Sequence, residues 1–283
     1  MTTQTSSIGT RSEAGSLAPQ PRRAPKRTHW WSRIKPLRAA GPIIVLVLWQ
    51  LTTMTGLVPP TVLPPPSEVF TTGWELWQTG ELQIHLLISL QRIGYAVVLG
   101  VSIGLVLAIL AGLWKVGDAL IDPLMQMMRT VPVLALVPLF ILWFGIGEPS
   151  KVLMIALAVV FPVYLNTYAG IRGVDRKLME VGTIVHLSSM GRIRHIVLPG
   201  ALPGFLTGLR MSLGVAWLIL VISEQVNATE GIGYLMNNAR LYLRTDVIVL
   251  GILIYALAGY LSDLLVRLIE KRALSWRQGL ETV

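Results

Sequence analysis

Six stretches of this chain are apolar for long enough to cross a lipid bilayer, and nothing else in the sequence constrains its fold as much. The hydrocarbon core is about 30 Å thick, so a spanning helix needs roughly 20 mostly apolar residues. The stretches lie at about 41–57, 88–113, 131–147, 152–170, 203–223 and 247–268. In hydrocarbon every backbone polar group must be satisfied internally, which leaves helices or closed barrels. Runs of this length predict an all-α polytopic membrane protein with six transmembrane helices. Composition agrees: 53% of the 283 residues are apolar and 14% charged, against roughly 25% charged in an average soluble domain. That argues against a soluble enzyme. The chain has no cysteine, which removes disulfides, thiolate metal sites and cysteine nucleophiles.

Within the runs, Gly100-xxx-Gly104 and Gly204-xxx-Gly208 repeat small residues at the spacing that lets helix backbones approach. Pro132, Pro138 and Pro162 would end soluble helices, but neighbouring helices in a bundle can satisfy the freed backbone groups.

The distribution of charge predicts orientation. Residues 1–40 carry eight basic side chains, from Arg11 to Arg38, against one acid, Glu13. They read as a disordered basic cytosolic tail, because such a composition cannot bury enough apolar surface to order itself. No small-residue cleavage site follows the first apolar run, so a removed signal peptide is disfavoured. With that tail inside, the inner segments (1–40, 114–130, 171–200 and 267–283) hold 19 of the 24 Lys and Arg. The outer ones hold Lys151, Arg240 and Arg244, and Arg92 and Arg210 fall within spans. An excess of 19 over three predicts both termini inside. The net charge of +9 is then topological, and nucleic-acid binding loses its support. The organisation reads as tail 1–40, transmembrane domain 41–270 and cytosolic C-terminal tail 271–283.

Two connections look like more than linkers. Between the first two spans, Pro59-Pro60 and Pro64-Pro65-Pro66 stiffen the chain. Val69, Phe70, Trp74, Leu76 and Trp77 then predict an amphipathic helix suited to the headgroup layer. On the inner side, residues 171–199 are too long for a turn, and loops of that length are usually functional. Val174, Leu178, Val181 and Val185 recur at helical spacing and predict a short amphipathic helix. Ser188 and Ser189 offer a cap for a second one, expected to stop before Pro199. A helix pair with an apolar stripe facing water suits a partner's groove.

The spacing Glu180-Val181-Gly182-x3-His186-x9-Ile196-x-Leu198-Pro199 resembles the "EAA" loop of type I permease subunits in binding-protein-dependent ABC importers. His186 departs from the glycine usual there, and a left-handed turn costs a histidine more than a glycine. The runs Arg129 to Gly145, Leu198 to Pro203 and Gly231 to Leu235 resemble the branch serving aliphatic sulfonates, taurine and nitrate. The likeness covers about 40–277 and is greatest to the alkanesulfonate permease at His85, Arg92, Glu224 and 239–247. It implies the type I importer permease fold in a bacterial inner membrane, paired with a second permease copy. It also implies an extracytoplasmic substrate-binding protein and a cytosolic ABC ATPase dimer, which would grip the helix near Glu180. ATP and Mg would then bind on that ATPase. No Gly-Lys dipeptide occurs in the chain, so a P-loop of the Gly-x4-Gly-Lys-Ser/Thr type is absent.

An ionisable group inside a span reads by default as facing a cavity or a partner. The translocation-path candidates are Arg92, Arg129, Arg210 and Glu224. Arg210 either faces such a cavity or snorkels to the inner headgroups, and Arg92 stays open between a ligand and a packing role. Arg129, placed at the inner end of the third span, reads as a topology and gate residue before a ligand. Glu224 is expected to hold a helix end or to pair with Arg240 or Arg244. His85 reads as an interfacial hydrogen-bonding residue, and Met125, Met127 and Met128 as packing rather than a metal site. An ion-coupled secondary transporter would need carboxylates at the span centres, where none is expected. A plain membrane anchor leaves 171–199 unexplained.

Overall fold

A computed structural model describes residues 37–276. Most of the expected basic tail, and residues 277–283 of the expected C-terminal tail, lie outside the described residues. The contacts divide the chain between residues 45 and 46. The described part of the first unit is the opening of α1 (Leu37–Met54); every later helix belongs to the second unit.

There the order is α2 (Pro66–Gln78), α3 (Glu81–Leu113), α4 (Lys115–Met128), α5 (Val137–Phe144), α6 (Glu148–Arg172), α7 (Arg176–Ile184), α8 (Ser189–Arg192), α9 (Leu198–Asn227), α10 (Ile232–Leu241) and α11 (Thr245–Ala273). No strand occurs among the described residues. Four helices are long and apolar enough to cross a bilayer: Glu81–Leu113, Glu148–Arg172, Ser189–Asn227 and Thr245–Ala273. Counting α4 and α5 as one broken span makes five, and the apolar part of α1, Ala40–Met54, is shorter.

The core forms around α6, because its neighbours present glycine to it. A Cβ added at Gly100 of α3 would lie 2.5 Å from the Ala156 carbonyl oxygen, and one at Gly204 of α9 would lie 2.5 Å from that of Asn166. No larger residue allows these backbones to approach so closely. Ile155, Val159, Val163 and Leu220 are fully buried in the resulting seam. The helix α6 runs through Pro162 without ending. Amphipathic α2 buries Val69, Thr72 and Leu76 and exposes Phe70, Trp74 and Trp77, while Thr72 donates to Asp246 at the head of α11 (2.8 Å).

Three expectations fail here. The stretch 131–147 is not one straight helix: a 3-10 turn at Val133–Leu136 leads into α5, and the α4–α5 pair is bent by 87°. Proline explains the break. Pro132 disfavours helical geometry in the residue before it, whereas Pro138 falls in the first turn of α5, where its missing N–H costs nothing. Segment 114–130, expected as an inner connection, is instead mostly α4, whose Met125 packs among Ala108, Ala111, Val160 and Tyr164. The second loop helix, expected to stop before Pro199, continues from α8 through a π-helical segment, Ile193–Val197, into α9. The Leu198 N–H bonds back to the Ile193 carbonyl, a change of register just where Pro199 offers no donor.

The glycine seam predicts a sharp contrast. Gly100→Leu should lower the stability of the detergent-solubilised protein by about 1–3 kcal/mol or more through overpacking. Gly94→Ala on the same helix, where a Cβ meets nothing within 4 Å, should be neutral or stabilising. Thermal unfolding followed by circular dichroism distinguishes the two.

Candidate functional site

The segment after α6 is built as a rigid spur. Ile171, Val197 and Ala201 bury its root, with Val174 packed against them. Asp175 caps α7, accepting from the Lys177 N–H at 2.9 Å. Gly182 faces inward and is buried; a Cβ there would lie 2.7 Å from Ile196 Cδ1 and 3.2 Å from Arg192 Cγ. That contact gives a physical reason for a small residue at 182 and an aliphatic one at 196. Along the stripe beside that contact Leu178, Val181, Ile184 and Val185 are each more than half exposed, and Glu180 makes no side-chain hydrogen bond or ion pair among the described residues. Leu198 is partly exposed and Pro199 lies in the first turn of α9.

His186 ends α7 with φ +57°. Its N–H donates to the Thr183 carbonyl and that of Leu187 to the Gly182 carbonyl, the paired bonds of a Schellman motif. The cap is therefore complete with histidine in the left-handed position that glycine fills at less cost. His186→Gly should stabilise this cap by about 1 kcal/mol, seen as slower amide exchange at Leu187 with transport retained.

A second cluster joins α3, α6, α9, α10 and α11. Arg92, 3% exposed, donates to Glu224 Oε1 (2.8 Å), the Glu230 carbonyl (2.6 Å) and both carboxylate oxygens of Glu148 (2.6 Å each). Glu224 also accepts from Ser89 (2.7 Å), the Gly233 N–H (2.8 Å) and Tyr255 (3.0 Å). His85 Nδ1 accepts from the Gly231 N–H at 3.0 Å, and Lys151 Nζ lies 3.0 Å from Glu148. Of the two alternatives for Glu224, it holds a helix end, the Gly233 N–H in the first turn of α10, and does not pair with Arg240 or Arg244; Arg244 pairs with Asp246 (2.8 Å). The cause lies at Gly231, with φ +116°, where a Cβ would lie 2.5 Å from the Glu224 carboxyl and 2.6 Å from Arg92. The turn there folds the start of α10 over the Arg92–Glu224 pair.

Arg210 also has acids opposite it: Asp263 at 3.3 Å and Glu270, both on α11. Arg129 differs. It is exposed, and its guanidinium makes no hydrogen bond or ion pair among the described residues. Glu148, Ser89, Tyr255, Asp263 and Glu270 were missed by sequence reasoning, as were Asp118 and Asp122 of α4, which accept from Tyr168 and Tyr164 of α6. The available signal was scarcity: an acid inside so apolar a layer needs a partner.

With this geometry the relatives can be compared. Residues 100–275 match the family described as binding-protein-dependent transport system inner membrane component. The chain belongs to that family, a multi-pass protein of the bacterial plasma membrane. It is 46% identical over 240 residues to the putative aliphatic sulfonates transport permease protein of Bacillus subtilis (strain 168), covering 85% of this chain and 87% of that one. To the protein of the same description in Escherichia coli (strain K12) it is 43% identical over 251 residues, 87% and 93% of the two chains. The taurine transport system permease protein of the latter organism is 35% identical over 259 residues, 89% and 94% of the two. The fold is shared with a chain from the crystal structure of an amino acid ABC transporter with histidines (TM-score 0.58, 18% identity, 71% of this chain and 97% of that one).

Removing one member of a buried pair costs about 3–5 kcal/mol, whereas an exposed partner contributes about 1 kcal/mol or less. Glu224→Ala should therefore destabilise the protein far more than Glu148→Gln, whose side chain is 57% exposed. Unfolding midpoints of the two purified variants test this.

Proposed function

We propose that this chain is the membrane-spanning permease subunit of an ATP-driven importer for aliphatic sulfonates. In this reading two copies form the pathway, and a binding protein delivers substrate from outside. ATP and Mg bind a separate cytosolic ATPase dimer, which grips α7. The observation that carries the reading is the exposed apolar face of α7, at Leu178, Val181, Ile184 and Val185, on a helix braced through Gly182 against Ile196. A soluble-side apolar face of that kind suits a groove on a partner. The substrate reading draws on the two relatives described as aliphatic sulfonate permeases.

The reading includes six crossings, with α1 as the first and both termini inside. Taking Arg129 out of the 19 inner basic residues, because α4 carries it away from the inner surface, leaves 18 against three outside, which still favours that orientation. Closure of the ATPase dimer would then draw the two α7 helices together. Because α7 follows α6 after a short turn at 173–175, the motion would reach the glycine-locked core and expose the pathway to each side in turn.

Two experiments test this. A strain lacking the gene should lose growth on ethanesulfonate as sole sulfur source and keep it on sulfate; unimpaired growth on both contradicts the substrate. Glu180→Lys should leave the permease in the membrane yet abolish most substrate-stimulated ATPase activity of the reconstituted complex. Full stimulation in that variant contradicts the role of α7.

A further inference from the structure

Three arginines lie within the helix layer, and two are electrically cancelled. Arg92 faces Glu224 and Glu148, and Arg210 faces Asp263 and Glu270. Arg129 has no acid opposite it among the described residues and is exposed. Its depth is set by the contacts of α4. Tyr168 of α6 donates to Asp118 and Tyr164 to Asp122, so the two helices run antiparallel, one residue forward on α4 for each residue back on α6. Continuing that register seven residues puts Arg129 level with Leu157. Leu157 lies nine residues from the Glu148 end of α6 and 15 from the Arg172 end, about 14 Å and 22 Å at 1.5 Å per residue. The sequence alone suggests the inner end of a span; the geometry instead gives mid-depth.

A bare guanidinium at that depth is expensive unless it faces water or a ligand. Two concavities open at this level on the neighbouring helices, and neither is lined by Arg129 itself. A cavity of about 420 Å³ lies at the same level, walled by Leu99, Met125, Met128, Phe140, Trp143 and Leu157, with almost no polar surface. Leu99 also edges a groove carrying Gln91, Tyr95 and Ser102. We infer that Arg129 is the anion-binding residue of the translocation pathway, receiving a singly charged sulfonate head while a short aliphatic tail lies over the apolar wall. The inference rests on the transport reading above. A sulfonate keeps its charge at every physiological pH, and its oxygens suit the two-pronged guanidinium. A single unpaired arginine also leaves the site weak enough to release its cargo, unlike the buried Arg92 cluster.

The absence of cysteine makes the test direct. In the assembled complex, Arg129→Cys should react with the membrane-impermeant sulfonatoethyl methanethiosulfonate, itself a small sulfonate. Leu257→Cys, on the exposed face of α11, should not. No reaction at 129 overturns the inference, since it places the side chain in lipid or packed protein. In proteoliposomes Arg129→Gln should cut ethanesulfonate uptake roughly tenfold to hundredfold, the loss expected for a hydrogen bond to a charged group. Arg129→Lys should recover part of it, which shows that the fold survives. Uptake by Arg129→Gln within about twofold of wild type overturns the inference even if the labelling succeeds, because so small a change removes no charged contact. A wild-type complex that imports another anion instead would displace the substrate reading, while the same comparison run with that anion still decides the role of Arg129.

Discussion

The near-contact of three helix backbones at α6 is the constraint on which the rest of the structure depends. Gly100 and Gly104 on one side and Gly204 and Gly208 on the other remove every side chain that would hold the axes apart. Lipid tails are as apolar as leucine, so hydrophobic transfer gives little reason for helices to associate in a bilayer, and close packing supplies it. The seam also has a mechanical consequence. Its central helix leads through a short turn into α7, so a force on the α7 spur acts on the most tightly packed element of the bundle.

Electrostatics divides the layer in the same way. Charges that fix the architecture are cancelled by several partners: Arg92 and Glu224 gather Ser89, Tyr255, Glu148 and the backbone of the turn before α10. Such a cluster locks five helices at one end of the bundle, and its cost of desolvation is offset only because every member is bonded. Arg129 lies outside this arrangement, exposed and with no acid opposite it among the described residues.

The parts legible in the sequence were those set by local spacing. Apolar length marked α3, α6, α9 and α11, glycine pairs four apart marked the seam, and the stripe ending at Val185 with Ser188 behind it marked α7 and the cap of α8. Whatever depended on distant partners was not legible. Segment 114–130 read as an inner connection, and nothing local marked Asp118 and Asp122 as packed, because their tyrosine partners stand 50 and 42 residues away on α6. The Arg92–Glu224 pair spans 132 residues, and no periodicity encodes it. The run through Pro199 was hidden for another reason: a π-helical turn absorbs the missing donor, and proline read alone signals a stop.

The central claim is that α7 is the handle by which an ATPase moves this subunit. Site-directed cross-linking at position 178 measures it most directly, since the chain offers no competing thiol. With Leu178→Cys in native membranes, the account predicts efficient disulfide formation to a cysteine placed in the groove of the cognate ATPase, with a yield that changes when ATP binds. No cross-link to that subunit, together with labelling of position 178 by an impermeant reagent from the extracytoplasmic side, would contradict it.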